Sequence, residues 1–204
     1  MRILVAGDLH FDKEQFEWIH KRQFDFGCIC LTGDYLDIKR GDLEMQITWI
    51  QNWVRSIQIP MFICSGNHDI NDFGESDWLQ DLASTNVHVD DSLTSFKGLK
   101  IGVVPYLGAF WSNFTDCDIL VSHLPPAKTK TSQTITSNGT KDWGDEELYL
   151  QLDQQVLSPK YIFCGHVEAP LAYKDIIHKT QIINPGNQSQ VVEIKDVELV
   201  GQIV

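Results

Sequence analysis

Short motifs that combine aspartate, asparagine and histidine recur along this chain, each directly after an apolar run. They read Gly7-Asp8-Leu9-His10, Gly33-Asp34-Tyr35-Leu36-Asp37, Gly66-Asn67-His68-Asp69, Ser122-His123 and Gly165-His166-Val167-Glu168. Mixed carboxylate, amide and imidazole groups fit Mn, Fe or Zn ions and are too rich in nitrogen for Mg or Ca alone. A pair of divalent ions needs more ligands than one loop supplies, so motifs spread along the chain favour a two-metal site.

The apolar runs before these motifs predict buried β-strands at 3–6, 28–31, 61–64, 119–121 and 161–164, with a further strand at 101–104. Most runs are continuous rather than alternating, which is typical of strands covered on both faces. In open α/β sheets, ligands collect at the carboxyl ends of the strands. We therefore expect the five motifs to meet at one edge of a sheet.

Helical segments are predicted at 12–22, 42–57, 75–83 and 145–157. The second places Met45, Trp49, Trp53 and Ile57 four residues apart, which favours core packing over an exposed stacking surface. The last part of the chain is rich in β-branched residues and predicts strands at 171–173, 180–183, 191–194 and 197–204. Together these elements predict an α/β sandwich of two sheets flanked by helices, in a single domain covering 1–204.

Residues 124–144 form the longest stretch without a predicted element, and we expect a structureless loop there. Because it leaves directly from His123, it is expected to overhang the site. Its three lysines, Lys128, Lys130 and Lys141, either meet a substrate phosphate or are simply solvated charges. The sequence leaves both interpretations open.

The charge balance limits the classes of partner. Aspartate and glutamate number 28 against 16 lysines and arginines, for a net charge of -12. This opposes general affinity for nucleic acid or anionic membranes, so a small phosphate ester is the expected partner, with nucleic acid possible but not favoured. Without a signal region or an apolar run of membrane length, we expect a cytoplasmic protein, and the five cysteines are expected to be free thiols.

The ordered motifs resemble those of the calcineurin-like metallophosphoesterases, from residue 7 to about residue 187, and most closely the small single-domain phosphodiesterase type. The turn at Asn184-Pro185-Gly186-Asn187 is also similar to that of small members. The resemblance implies a four-layer sandwich of two mixed β-sheets. Ile38 and Ser65 stand where the Ser/Thr protein phosphatases have arginines, and Asp69 where they have glutamate, so protein phosphatase activity is not expected.

The resemblance also implies a role for each site residue. Asp8, His10 and Asp34 would hold one divalent ion, and Asn67, His123 and His166 the second, with Asp34 bridging them. Manganese is favoured, with iron or zinc as alternatives. A hydroxide shared by the two ions would attack phosphorus in line. His68 would protonate the leaving group, and Asp37 would orient His68 through a hydrogen bond. The alternative for Asp37 is a helix or turn cap, and Asp69 is expected to be structural.

Glu168 stands where the family usually has a second histidine of the last motif. A carboxylate can complete the site of Asp8 and His10, and we expect Glu168 to be a ligand there or nearly so. Alternatively, Glu168 is exposed on its loop and that site is weak. This second case leads to the alternative function, a non-catalytic metal-binding scaffold with the same fold. Retention of all the other ligands favours the enzyme.

Overall fold

The computed structural model describes residues 1–187 and 189–193. The strands it contains are β1 (Arg2–Ala6), β2 (Cys28–Leu31), β3 (Met61–Ile63), β4 (Val87–His88), β5 (Ser92–Phe96), β6 (Leu99–Val103), β7 (Ile119–Val121), β8 (Gln133–Thr136), β9 (Gly139–Asp142), β10 (Tyr161–Phe163), β11 (Lys174–Ile177), β12 (Thr180–Ile183) and β13 (Gln190–Glu193). The helices are α1 (Lys13–Arg22), α2 (Leu43–Ser56), α3 (Asp77–Gln80) and α4 (Glu146–Asp153), with short 3-10 turns at Gln23–Asp25 and Trp111–Phe114.

Two mixed sheets organise the described chain. The first has the strand order β13-β1-β2-β3-β4, and only β13 runs antiparallel to its neighbour. The second has the order β11-β12-β10-β7-β6-β5, with antiparallel pairing at both edges. The parallel centres of both sheets therefore end in loops that carry the sequence motifs.

Alternate residues of each central strand face different hydrophobic clusters, as the pleat of a strand requires. In β1, Ile3 and Val5 pack between the sheets, whereas Leu4 and Ala6 face α1 and α2. In the second sheet, Leu120 and Ile162 face the cluster that contains α4. The layers are thus helices, sheet, sheet and helix, which confirms the predicted four-layer fold.

Aspartates begin the three longer helices. Asp12, Asp42 and Asp145 each accept backbone N–H groups of the first turn, and such caps stabilise a helix by about 1 kcal/mol. On α2, Trp53 is buried and donates to the Phe16 carbonyl at 2.8 Å, and Trp49 packs against the same cluster. The tryptophan stripe is core packing, as predicted, although Met45 is half exposed.

The prediction of a structureless segment at 124–144 is wrong. β8 and β9 form a two-stranded hairpin there, and Thr129, Thr131 and Ser132 are buried. The hairpin turns at Ser137-Asn138, and the next residue, Gly139, has a φ of +108°, a conformation that glycine adopts readily. Its strands are mostly polar and exposed, so they lack the hydrophobic alternation that marks a half-buried strand in a sequence.

Other boundaries also differ from the predictions. α3 is a single turn, and the edge strand β5 was not predicted. The strand predicted at 171–173 is wrong, because β11 lies at Lys174–Ile177 instead. The predicted strand at 197–204 lies outside the described residues. All five cysteines are buried and free, as expected. Among the described residues, no helix is long and apolar enough to cross a membrane.

Candidate metal centre

The five motifs meet where the parallel strands of both sheets end. β1 is followed by Asp8 and His10, β2 by Asp34, and β3 by Asn67 and His68. In the second sheet, β7 leads to His123, and β10 leads to His166 and Glu168. Because β1, β2 and β3 are parallel, as are β7 and β10, the carboxyl ends within each sheet lie together. The predicted gathering of the ligands is present in the structure.

Several of these residues adopt left-handed backbone conformations that non-glycine residues rarely use. The φ angles are +53° at Asp8, +41° at His10, +57° at Asp34 and +66° at His166. Such conformations cost about 1–3 kcal/mol each and concentrate at functional sites. Here they are held by hydrogen bonds between the loops, from the Asp8 N–H to the Gly33 carbonyl and from the His10 N–H to the Asp34 carbonyl, both at 3.0 Å.

The glycine of the last motif is required by close packing rather than by its φ angle. A Cβ at Gly165 would lie 2.6 Å from Asp8 Oδ2. The same approach lets the His166 N–H donate to the Asp8 carboxylate, at 3.0 Å to Oδ1 and 2.9 Å to Oδ2. Gly165 therefore allows the first and last motifs to contact each other, a reason that the sequence pattern alone did not provide.

Asn67, His123 and His166 converge on one point. Asn67 Oδ1 lies 3.0 Å from His123 Nε2 and 3.0 Å from His166 Nδ1, and the two imidazole nitrogens are 3.2 Å apart. Asp34 Oδ1 lies 3.5 Å from the same His123 nitrogen. These ligand atoms, two of them on neutral rings, are close enough to share one cation.

The His123 ring is fixed in the tautomer that a metal ligand needs. Its Nδ1 lies 2.7 Å from the carbonyl of Thr32 and so carries the proton, which leaves a lone pair on Nε2. Burial lowers the pKa of His123 to about 4 and also lowers the pKa of His166. Both rings are therefore neutral at pH 7 and able to bind a metal.

The second group of ligands is more open. His10 Nε2 lies 4.0 Å from Asp34 Oδ2 and 3.8 Å from Glu168 Oε1, while the other His10 nitrogen lies 3.4 Å from the Leu36 carbonyl. The Glu168 side chain is 57% exposed. Glu168 thus lies beside His10, as expected of a ligand, and is exposed on its loop as well.

The acidic residues Asp8 and Asp34 at the centre of the site are buried. Among the described residues, neither Asp8 nor Asp34 has a lysine or arginine within ion-pair distance, although both are nearly inaccessible. Burial, followed by the charge of Asp34, raises the pKa of Asp8 well above its usual value. Buried charges are normally paired or bound to metal. The imidazole and amide donors, together with buried carboxylates that no lysine or arginine of the described residues neutralises, therefore fit two divalent cations.

His68 lies in the site, but its predicted hydrogen bond to Asp37 is absent. His68 Nε2 is 3.9 Å from Asp34 Oδ2, and its buried Nδ1 has no hydrogen-bond partner. Asp37 accepts the Lys39 N–H at 3.0 Å and lies 3.5 Å from Arg40 Nε. The carboxylate is thus engaged by its own turn, because aspartate readily bonds the backbone two residues on. This matches the alternative of a turn cap.

His68 also belongs to a candidate ligand group. One ligand atom each from His10, Asp34 and His68 lies within 4.8 Å of the others, as do ligand atoms from Asp34, His123 and His166. Asp34 is common to both groups, in agreement with its expected bridging position. The geometry alone leaves His68 able to serve as a ligand or as a proton donor.

Asp69 connects the loops after β2 and β3. Its carboxylate accepts the N–H groups of Asp34 at 2.7 Å, Tyr35 at 2.9 Å, Leu36 at 3.3 Å and Gly66 at 2.9 Å. The side chain is buried, and burial, with the nearby Asp34 charge, raises its pKa well above the usual value. The contacts fit the structural role expected for Asp69.

Asn184 holds the backbone on both sides of His166. Its side-chain amide donates to the carbonyls of Gly165 at 3.0 Å and Val167 at 3.2 Å, which flank His166, and its own oxygen accepts the Gly186 N–H at 2.8 Å. The asparagine of the Asn-Pro-Gly turn therefore fixes the last motif and does not face the ligands.

A comparison with protein families identifies the family of this chain. The family model of the calcineurin-like phosphoesterases matches residues 1–169. The chain belongs to the calcineurin-like phosphoesterase family. This membership supports a phosphoesterase hydrolase and implies divalent metal ions. A comparison with curated proteins gives no match.

Solved structures show the same fold at low identity. The protein TT1561 of Thermus thermophilus is 12% identical with a TM-score of 0.64, and the alignment covers 95% of this chain and 99% of that one. A novel archaeal phosphodiesterase is 13% identical with a TM-score of 0.52, covering 91% and 84%. Purple acid phosphatase PPD1 from seeds of yellow lupin, Lupinus luteus, is 12% identical with a TM-score of 0.61, covering 96% and 46%.

The cavity of this phosphoesterase adds two residues that the motif analysis missed. It measures about 350 Å³ and is lined by Asp8, His10, Asp34, Asp37, Lys39, Arg40, Asn67, His68, His166 and Glu168. Lys39 and Arg40 lie two and three residues after Asp37, the last residue of the Gly-Asp-x-x-Asp motif, and this proximity in sequence was the available signal. The loop lysines are not in this lining: Lys128 lies over the Tyr149 ring and Lys141 over the Trp143 ring.

Proposed function

We propose that this protein is a metal-dependent phosphodiesterase that hydrolyses a small phosphodiester by in-line attack of water, with His68 as general acid. The observation that carries the proposal is the convergence of two ligand groups on Asp34, which lines an open cavity. Asp8, His10, Asp34 and Glu168 would hold one divalent ion, and Asp34, Asn67, His123 and His166 the other. When bound, the ions would polarise the phosphoryl oxygens and lower the pKa of a water nucleophile.

Three features support the finer parts of this proposal. The cavity volume falls in the usual range for small-molecule sites, so it has room for a second ester substituent on phosphorus. One structural relative is described as a phosphodiesterase. Glu168 adds an oxygen ligand where a nitrogen is usual, and this favours the harder Mn ion over Zn or Fe.

His68 would act on the leaving group. Its side chain is 20% exposed, so one part of the ring is accessible from the cavity while the rest is held in the protein. Its ring packs edge-on against His10, with centroids 4.7 Å apart, which keeps the imidazole near the ligands. A general acid in this position would protonate the departing alkoxide.

The metal-depleted and the Mn-reconstituted protein should be assayed on bis-p-nitrophenyl phosphate and p-nitrophenyl phosphate. We expect turnover only with metal, and faster turnover of the diester. If neither substrate is hydrolysed with Mn, Fe or Zn, the enzyme proposal fails and the scaffold alternative takes its place. Faster hydrolysis of the monoester would contradict the diester preference alone.

The role of His68 has its own test. His68→Ala should lower turnover by roughly 10²–10⁴-fold for a diester with a poor leaving group, and by less for p-nitrophenolate, which departs without a proton. Metal content should stay near that of the wild type. His20→Ala, which removes an exposed histidine of α1, is the matched control. Loss of metal in His68→Ala would instead assign His68 as a ligand.

A further inference from the structure

Two cations stand at the mouth of a cavity that is otherwise acidic or neutral. Among the described residues that line the cavity, Lys39 and Arg40 are the basic ones apart from the histidines, whereas four lining residues are carboxylates. The chain as a whole carries 28 acidic and 16 basic residues. Lys39 and Arg40 therefore bring positive charge to the space where substrate would lie.

A buried side chain of α2 fixes the turn that presents these cations. Gln46 is fully buried and accepts the Asp37 N–H at 2.9 Å, while its amide donates to the Asp37 carbonyl at 3.1 Å and also to the Arg40 carbonyl. The Arg40 N–H closes the turn by donating to the Asp37 carbonyl at 3.2 Å. The backbone of the turn is thus held at both ends by one buried amide.

The side chains on this turn remain available to a ligand. Arg40 lies 3.5 Å from Asp37, but its side chain is 88% exposed, and Lys39 is exposed as well. One carboxylate, Asp37, therefore faces two cations. A guanidinium and an ammonium on a fixed turn are suited to a phosphate, which the guanidinium can bind through two hydrogen bonds.

The reacting phosphate does not need this turn. Its charge would be met by the metal ions held by the Asp8 and His123 groups, and Asp8, Asp34, Asn67 and His166 of those groups line the same cavity. A second anionic group on the substrate, by contrast, would be repelled by Glu168, the exposed carboxylate of the lining, and attracted by Lys39 and Arg40. The charges thus define two positions for phosphate groups. The reacting phosphate would lie at the metal ligands, and a second phosphate would be recognised near Lys39 and Arg40.

We propose that the 37–40 turn is an anion subsite, in which Lys39 and Arg40 bind a second phosphate group of a small phosphodiester substrate. Asp37 and Gln46 are positioning residues that hold this turn in place. The inference rests on the proposed phosphodiesterase function. It narrows the substrate class to diesters that carry a further phosphate, such as a nucleoside 5′-phosphodiester that also has a 3′-phosphate.

A matched pair of substrates tests the subsite. Thymidine 5′-(p-nitrophenyl phosphate) and its 3′-phosphorylated derivative share the reacting phosphate and the leaving group and differ by one phosphate. We expect the Mn-loaded wild type to prefer the 3′-phosphorylated substrate by about 10-fold in kcat/KM, through KM, because exposed charge pairs contribute modestly. In Lys39→Ala/Arg40→Ala the ratio of the two kcat/KM values should fall to about one.

The control removes two lysines at other exposed places. Lys21→Ala/Lys179→Ala makes the same change in net charge and should retain the wild-type preference. Arg40→Lys should retain part of it, because it keeps the charge and loses the paired hydrogen bonds. Calorimetric titration with thymidine 3′,5′-bisphosphate and thymidine 5′-monophosphate gives a readout independent of turnover, and only the affinity for the bisphosphate should fall in Lys39→Ala/Arg40→Ala.

The possible results separate this inference from the proposed function. No turnover of either substrate by the metal-loaded wild type overturns the function. Equal turnover of both, or a preference that survives in Lys39→Ala/Arg40→Ala, overturns only the subsite and shows the two cations to be solvated charges. A preference lost equally in Lys21→Ala/Lys179→Ala also overturns it, because the effect is then one of net charge.

Discussion

Asn67, His123 and His166 bring their ligand atoms within 3.2 Å of one another, whereas His10 stays 3.8 Å from Glu168 and 4.0 Å from Asp34. The first group is largely enclosed, and the His123 side chain has no solvent-exposed surface. The second group opens to the cavity mouth, where Glu168 is more than half exposed. We call the group of Asn67, His123 and His166 the enclosed half of the centre, and the group of His10 and Glu168 the open half. The protein fixes the ligands of the enclosed half more firmly.

The supporting contacts explain the difference. His123 is anchored through the Thr32 carbonyl, and His166 lies between two carbonyls bound by Asn184. Glu168 has no comparable support for its carboxylate among the described residues, where its charge partner is His10. Metal ligands oriented by buried partners are usually preorganised, so we expect the enclosed half to bind its ion more tightly.

The largest expected effect comes from the residue that both halves share. Asp34→Asn removes the charge that lies between the two ligand groups, so both ions should be lost or greatly weakened. Metal-dependent diester turnover should fall by about 10³-fold or more. Metal content after gel filtration, together with the assay, measures the result. Retention of one tightly bound equivalent would show that the enclosed half does not need Asp34.

Asp69→Asn should strongly destabilise the loops that carry the ligands. Whichever way the amide is placed, its NH₂ group would face two backbone N–H donors that now bond a carboxylate oxygen. We expect a loss of about 2–4 kcal/mol in the free energy of unfolding, measured with urea in the presence of chelator.

Asp72→Asn, at an exposed position nearby in sequence, is the control and should stay within about 0.5 kcal/mol of the wild type. A similarly small change in Asp69→Asn would mean that the loops are held by other contacts.

The pH dependence of stability should reveal the contribution of Asp90. This residue binds the backbone just after β3, in the loop that leads to Asn67 of the enclosed half. Its carboxylate accepts the Ser65 N–H at 2.8 Å and the Ser76 hydroxyl at 3.0 Å, yet burial raises its pKa from 3.8 to about 6. A raised pKa means that the protonated form favours the folded state. The protonated Asp90 carboxyl contributes its full stabilisation of the folded state below about pH 4. This stabilisation, about 2–3 kcal/mol in the free energy of unfolding, is lost as the pH rises through 6.

The Asp90→Asn variant isolates this contribution. Measured in chelator between pH 4.5 and 7, the wild type should lose more stability with rising pH than Asp90→Asn does. Parallel curves for the two proteins would contradict the assignment. Other buried carboxylates, such as Asp8 and Asp69, are common to both proteins and cancel in the comparison.

The smallest expected effect tests the open half. Glu168→Ala should weaken one metal equivalent by about 10-fold and leave the other unchanged, while Glu168→His should keep both and shift preference towards Zn. Calorimetric titration with Mn and Zn gives the stoichiometry and affinities. Glu146→Ala, an exposed glutamate of α4, is the control. Two equivalents bound as tightly in Glu168→Ala as in the wild type would rule out Glu168 as a ligand.

The sequence predicted that the motif residues would meet, because each motif follows a continuous apolar strand and parallel strands end at a common edge. Apolar runs without alternation predicted strands covered on both faces, and the resemblance to the calcineurin-like family implied the four layers. The prediction for 124–144 was wrong because a polar, exposed hairpin has no hydrophobic periodicity. The prediction missed the bounds of β11 because the residues before it, 171–173, look equally suited to a strand.

What the sequence by itself determined is the set of chemical groups and their place at strand ends, since both follow from residue type and local pattern. Only the tertiary structure decided which groups touch. Asp37 bonds its own turn instead of His68, Gly165 admits the Asp8 carboxylate, and Gln46 holds two basic residues over the cavity. These contacts join residues far apart in the chain or depend on rotamers, and neither is encoded in a local pattern.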